Sequence, residues 1–480
     1  MADLAWQYTE NDQNKTVDQA LINDVKEALY EKYIAPTRKT REHYIGIEIE
    51  MPILNLNKKP VDFRVIHRLT ADFMQEFQFT VLGKDEEGNI YSAEDLKTGD
   101  IFSYDCSYNN LELSMGKERE LHTIRERFTK YYSYIQSRLA KENYTLSGFG
   151  VNPYRGYNHN VPILNGRYRM LFHHLHSYKE YSLPMYFHEY PAYGTFCSAS
   201  QVQLDVEYEN LIETINTFTR LEPIKALLFS NSILLDEHEE LLCCRDMFWE
   251  NSTHGINSHN IGMYELEFHS VQELQKYIES TSIYCVERGS KYINFPPIPI
   301  LEYFTKEVVM GEYYDGTKYC KIGVHPKLSD LNYLRTFKFE DLTYRGTIEY
   351  RSVCCQPIHD FMTVAAFHIG LTENLHGLTA LLDQDQVLYH RGYNAGELRK
   401  LFNYRDFPSG FDKDQVYDLA QKIVDLAEDG LRKRGQGEEV YLAPLHERIR
   451  QRSNPSLYVL NAREQGVPLE TIIREFAEIE

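Results

Sequence analysis

The stretch Ile45-Gly46-Ile47-Glu48-Ile49-Glu50-Met51 decides how this chain is read. Apolar residues fall on every second position, which is the period of a β-strand with one oily face and one polar face. The polar face carries Glu48 and Glu50 about 7 Å apart by strand geometry, with no basic residue between them. The same alternation returns at Ser200-Gln201-Val202-Gln203-Leu204-Asp205-Val206 and at Thr347-Ile348-Glu349-Tyr350-Arg351-Ser352-Val353. An ordinary half-buried strand shows water a mixture of Lys, Thr, Ser and Glu, whereas these strands show carboxylates and amides. Like charges so placed repel, and a hard divalent cation such as Mg²⁺, which binds carboxylate oxygen and leaves room for phosphate, would hold them. Taken alone, Glu48 and Glu50 read more readily as a solvated strand face.

Two further observations weigh against the solvated face. Asp105 and Glu112 recur in Tyr104-Asp105-Cys106-Ser107-Tyr108-Asn109-Asn110-Leu111-Glu112-Leu113, where Glu112 again sits between apolar neighbours. Arg351 shares a strand face with Glu349, where it could clamp a carboxylate or phosphate through two N–H groups. The plain alternative for that pair is an ion pair on a sheet face. These residues point to a Mg-ATP enzyme built on a carboxylate-lined antiparallel sheet.

Several other chemistries are excluded. No GxxxxGK[ST] loop is present and no GxGxxG follows a strand, so no glycine cradle holds phosphates. There is no GxSxG elbow and no HExxH helix. His173-His174-Leu175-His176 lacks further zinc ligands at readable spacing and reads as surface or hydrogen-bonded histidines. With 51 Lys plus Arg against 71 Asp plus Glu, the net charge is −20. No basic stripe is visible, so nucleic acid is not an expected partner. No apolar run of about 18 residues exists, so no membrane span is expected. The N-terminus has no basic n-region or apolar h-region. The eight cysteines form no CxxC pair, so reduced thiols and a cytoplasmic location are expected.

Residues 17–34 carry a helical spacing and belong to an N-terminal helical segment, 1–43. A catalytic α+β core is expected over 44–356, with strands at 44–54, 195–206 and 345–353. It has helices at 64–77, 117–142, 207–220, 224–235 and 270–281. After Pro357 the chain turns helical, at 360–374, 394–403, 412–433 and 467–477, giving a C-terminal part, 357–480, packed on the core.

The motifs together resemble the glutamate–cysteine ligase superfamily, in the branch of plant-type enzymes and bacterial carboxylate–amine ligases. The resemblance rests on Ile47-Glu48-Ile49-Glu50, Asp105 through Glu112, Gly166-Arg167-Tyr168-Arg169-Met170 and Gln201-Val202-Gln203-Leu204-Asp205. It continues through Leu227-Leu228-Phe229-Ser230-Asn231-Ser232, Arg245 with Trp249, Ile348-Glu349-Tyr350-Arg351, and the tail Leu431 to Glu439. Their order and spacing over residues 44–440 make it specific.

The resemblance implies a glutamine-synthetase-like fold, with a curved antiparallel sheet forming a funnel surrounded by helices. It implies two or three Mg²⁺ ions, with Glu50 and Glu112 sharing one, Glu48, Gln201 and Glu349 a second, and Asp105 near a third. Arg351 would face the transferred phosphoryl group and act in catalysis with Glu349 and Glu48. Arg245, Arg167 and Gln203 would bind substrate or ATP. The implied reaction is phosphorylation of the glutamate γ-carboxylate by ATP, then attack by an amine such as that of cysteine. Two positions depart from the family pattern. Gln201 stands where one branch has His, and Cys354 stands three residues after Arg351 where an acid is common. A ligase joining another carboxylate or amine by this mechanism, and a non-catalytic homologue that kept the fold, are the alternative readings.

Overall fold

The computed structural model describes residues 19–180, 183 and 185–479. The first two residues of the expected N-terminal helix and the N-terminal segment before them lie outside the described residues. The helix itself runs over Gln19–Leu29.

The architecture is an open antiparallel sheet flanked by helices. Seven strands come early in the chain: β1 (Ile45–Asn55), β2 (Thr80–Lys84), β3 (Ile90–Glu94), β4 (Ile101–Tyr104), β5 (Asn110–Glu118), β6 (Tyr144–Leu146) and β7 (Ser200–Asp205). The short β8 (Ile261–Gly262) comes next. A second sheet follows, made of β9 (Ser282–Arg288), β10 (Lys291–Pro299), β11 (Val309–Tyr314) and β12 (Tyr319–Val324). Then β13 (Phe337–Lys338) pairs in parallel with β8, and β14 (Glu340–Leu342) and β15 (Thr347–Tyr350) return to the main sheet. The main sheet has the order β14-β15-β7-β1-β5-β4-β3-β2, with β6 also on β1. Its two ends stay unpaired, so it does not close into a barrel.

Strand period decides which face is buried. Ile45, Ile47, Ile49, Met51 and Ile53 of β1 are each at most 2% exposed and belong to one continuous core. Helices Leu121–Ala140 and Thr363–Glu373 pack on that side, against β5 and β7. The opposite face is left to the polar residues. Facing it are helix Gly166–His176, which rests on β10 of the second sheet, and helix Cys244–Glu250.

The structure corrects some expected elements. Helices at 207–220 and 224–235 are one helix, Leu211–Phe229, which continues through Pro223. Proline costs an interior helix a hydrogen bond and a steric clash. Here the surrounding turn is wholly buried and held by ion pairs of Glu222 and Lys225. Residues 230–235 are not helical, because Ser232 and Leu234 bridge to Cys243 and His238. The four strands at 282–324 and the helix Gly166–His176 were not anticipated.

Candidate functional site

The register places the polar residues in rows. Glu50 lies opposite Glu112 across β1 and β5, and Glu112 opposite Ser103 of β4. Glu48 lies opposite Gln201 of β7, and Glu349 of β15 opposite Gln203. Because β7 is inserted between β1 and β15, strands more than 140 residues apart in sequence contribute to one face. Asp105 follows β4 at a tight turn, where Cys106 adopts a left-handed backbone (φ 59) that turns the chain sharply. All ten residues singled out from the sequence line one cleft of about 810 Å³: Glu48, Glu50, Asp105, Glu112, Arg167, Gln201, Gln203, Arg245, Glu349 and Arg351. Asp205, at the end of β7, instead accepts from Tyr44 N at 3.2 Å and pairs with Arg41 at 3.0 Å.

The carboxylates are crowded, with Glu50 and Glu349 buried and Glu48, Asp105 and Glu112 half-buried. Burial, reinforced by Glu349 and Glu112, raises Glu48 well above the usual carboxylate range. Burial and then Asp105 push both Glu50 and Glu112 up to about 8. Burial also raises Asp105, opposed by the Arg167 guanidinium. Polar donors hold the cluster. Gln201 Nε2 donates to Glu50 Oε1 at 3.0 Å and to Glu48 Oε2 at 3.3 Å. The Ala199 N–H donates to Glu50 Oε2 at 2.7 Å, and Ser114 Oγ donates to Glu112 Oε1 at 2.5 Å. Gln203 Nε2 reaches Glu48 Oε1 at 3.4 Å.

Arg351 is the cation inside the cluster. It donates to Gln201 Oε1 at 2.8 Å, to Glu349 Oε2, and lies 3.5 Å from Asp341 Oδ2. Burial opposes its charge, but Glu349 and Asp341 more than offset that and raise its pKa. The ion pair on the sheet face, weighed above as the plain reading of Glu349 and Arg351, is therefore present. Asp341 was missed in the sequence, because Glu340-Asp341-Leu342 is too short to show alternation. Burial raises Asp341 to about 6 against the pull of Arg351.

Arg245 and Arg167 stand on the other walls. Arg245 is buried in the first turn of its helix and donates from Nη1 to Ser352 O at 3.3 Å, while its Nε has no partner among the described residues. Arg167 lies in the first turn of helix Gly166–His176, whose N-cap Asn165 accepts from Tyr168 N at 2.7 Å. Arg335 and Arg345 also line the cleft. The histidine cluster differs from expectation at one position. His173 faces Glu312 at 3.2 Å and His176 bonds to Phe172 O, but His174 is wholly buried with neither ring nitrogen paired. All eight cysteines are free, and Cys243 and Cys354 lie 3.6 Å apart at sulfur.

The donor set suits a hard cation: clustered carboxylate oxygens, raised by burial and by one another, that a divalent ion would neutralise. Among the described residues, no helix is long and apolar enough to cross a membrane.

No protein-family model matches the chain. A chloroplastic glutamate–cysteine ligase of Medicago truncatula is 22% identical over 434 residues, covering 88% of this chain and 79% of that protein. A chloroplastic glutamate–cysteine ligase A of Oryza sativa subsp. indica is 23% identical over 310 residues, covering 63% of this chain and 58% of that protein. Among solved structures, a glutamate–cysteine ligase from Francisella tularensis in complex with AMP aligns with a TM-score of 0.49 at 11% identity, over 92% of this chain and 89% of that one.

An open antiparallel sheet presenting carboxylates and arginines to one cleft, on an α+β frame, defines an enzyme of the carboxylate–amine ligase class. Within that class the chain is similar in sequence to chloroplastic glutamate–cysteine ligases.

Proposed function

We propose that this protein is an ATP- and Mg²⁺-dependent glutamate–cysteine ligase, forming γ-glutamylcysteine through γ-glutamyl phosphate for glutathione or a related thiol. The observation that carries the reading is the convergence of five carboxylates with Arg167, Arg245 and Arg351 on one cleft. The curated relatives bearing that activity in their names support it. The eight free thiols suit a reducing compartment such as the cytoplasm.

Glu50 and Glu112 would hold one ion, Glu48 and Glu349 a second, and Asp105 contributes near a third. Gln201 joins the second set only with its amide turned over, since its nitrogen now faces the carboxylates. Bound Mg²⁺ supplies charge neutralisation for the phosphates and for the developing charge of phosphoryl transfer.

The chain's own residues do the rest. Arg351, held between Glu349, Asp341 and Gln201, presents a preorganised guanidinium where the phosphoryl group passes. Arg245 and Arg167 bind substrate carboxylate or phosphate, and Gln203 orients the ATP side. The γ-carboxylate oxygen attacks the γ-phosphorus and ADP leaves. The acceptor amine then attacks the acyl carbon, inorganic phosphate departs, and the amide forms with loss of the amine proton. The cleft walls shelter the acyl phosphate from water.

The test is ADP release with Mg-ATP and glutamate against a panel of amino acids, with the product identified by mass spectrometry. Cysteine-dependent release of ADP with γ-glutamylcysteine formed is the expected result. Turnover only with another acceptor would reassign the second substrate. No turnover with any pair would overturn the reading.

A further inference from the structure

Arg245 carries a buried charge that pairs with no carboxylate among the described residues. It is 7% exposed, its one side-chain hydrogen bond runs to the Ser352 carbonyl, and Nε has no partner there. Burying a guanidinium without an opposite charge is costly. The neighbouring acids are committed elsewhere. Glu222 pairs with Lys225 and Arg399, and Asp246 pairs with Arg399. Glu50 belongs to the proposed cation site.

Two buried thiols adjoin its backbone. Cys354 Sγ lies 3.6 Å from Cys243 Sγ and 3.2 Å from Ser232 Oγ. Ser232 Oγ accepts from the Arg245 N–H at 3.3 Å, and Ser232 O accepts from the Cys244 N–H at 3.0 Å. Ser232 thus ties Cys354 to the turn that carries Arg245. The thiol is confined there, because Cys354 bridges to Ala199 and a Cβ on Gly150 would come 2.7 Å from the Cys354 Cβ. Burial opposes ionisation of Cys354, but Cys243 and then Arg245 more than offset that and hold the thiol down at about 6. No other thiol is lowered. Burial raises Cys106, Cys197, Cys244, Cys285 and Cys355, while hydrogen bonds to Cys354 and Asp315 raise Cys243 and Cys320.

Resting on the ligase reading, we propose that Cys354 is a positioning residue, a thiolate whose charge balances Arg245 and keeps its guanidinium set for an anionic substrate group. The hydrogen bonds then run in one direction. The Cys243 S–H and the Ser232 O–H both donate to the Cys354 sulfur, and the Ser232 oxygen stays open to the Arg245 N–H. Arg399 and Asp246 act on the pair from the Cys243 side, with Nη2 at 3.9 Å and Oδ1 at 3.5 Å from its sulfur. Their charges offset each other through their own ion pair, which leaves the Cys354 charge to Arg245. An arginine fixed in this way meets the substrate without reorganising.

The experiment has two arms. In the first, the ultraviolet absorbance of thiolate is followed in the unmodified protein as pH rises from about 5 to about 8. One thiolate should appear near pH 6 and be missing from Cys354→Ser. No thiolate in that range, or one that persists in Cys354→Ser, would overturn the proposal. The second arm is a double-mutant cycle with Arg245→Gln. Cys354→Ser keeps a hydroxyl and removes the charge, and should lower kcat/KM for glutamate by about tenfold or more. In the Arg245→Gln background the same change should cost less than twofold, whereas a purely structural role would cost the same in both. Cys354→Asp, which restores a charge, should recover part of the loss. Equal losses in both backgrounds would overturn the positioning role. A missing thiolate in a protein that releases ADP would sink the proposal alone. A thiolate in a protein that releases no ADP with any acceptor would sink the ligase reading and, with it, the role toward substrate.

Discussion

Glu50 and Glu112 are directly opposed across β1 and β5, one carboxylate buried and the other half-buried, with Asp105 close enough to raise both. Burial and the neighbouring Asp105 raise their proton affinity. In the unfolded chain each titrates near about 4.3, and in the folded metal-free protein each does so at about 8.

Between those values the folded state binds more protons than the unfolded state, so these groups lose stability for the protein as pH rises. Their contribution is complete below about pH 4 and gone above about pH 8. The chelator-treated protein should therefore show a melting temperature that falls between pH 5 and 8. Mg²⁺ should raise the melting temperature more at pH 8 than at pH 5.5 and release protons on binding at neutral pH. Calorimetry in two buffers of different ionisation enthalpy checks the proton release. A magnesium effect independent of pH would contradict the assignment.

Glu48→Ala and Glu349→Ala should each lower ADP release by about 10³-fold or more, since each removes a proposed metal ligand from the phosphoryl-transfer site. The circular dichroism spectrum should be unchanged, because Glu48 already repels its neighbours and Arg351 keeps Gln201 and Asp341 when Glu349 is removed. Near-normal turnover in either variant would remove these residues from the metal set.

Arg351→Lys should lower kcat by about 10²-fold, the usual effect of removing one preorganised donor from developing charge. An ammonium cannot reach Gln201, Glu349 and Asp341 at once as the guanidinium does. Steady-state kinetics measure it. Full activity would leave Arg351 with a structural role only.

Behind the site, Arg399 bridges Glu222 and Asp246, and Glu222 also bonds to Lys225 and Ser352. Burial would raise Glu222, but Lys225 and Arg399 hold it at about 2. Arg399→Met strands buried carboxylates and should cost about 3–5 kcal/mol, read by urea unfolding. It should also lower activity, because Asp246 adjoins Arg245.

Gly370→Ala tests a packing contact remote from the cleft. A Cβ there would collide with the Ala427 carbonyl, where helix Thr363–Glu373 crosses Lys413–Arg434. The helices must separate, at about 1–3 kcal/mol, visible as a lowered melting temperature with the chemistry intact.

Much of the site was legible because strand alternation is local. Whether Glu48 and Glu50 share a face with Ile47 and Ile49 turned away depends only on the pleat, and the same holds for Gln201 with Gln203 and for Glu349 with Arg351. The long helix at 413–434 was equally plain from its period, since eight of its apolar side chains and Gly430 lie buried on one stripe. Where chain-local signals conflicted with tertiary packing, the packing prevailed. Pro223 reads as a break, yet the buried turn around it carries the helix through.

The sequence by itself therefore determined which residues stand on polar strand faces and which chemistry those faces can serve. Only the tertiary structure decided that they form one site. Strand order is set by contacts between segments distant along the chain, as when β7 inserts between β1 and β15 and lays Gln201 against Glu48. The Asp341 partner of Arg351, the Arg399 bridge and the unpaired His174 arise the same way. Each depends on what a side chain meets after the chain has folded back on itself, and no local periodicity records that.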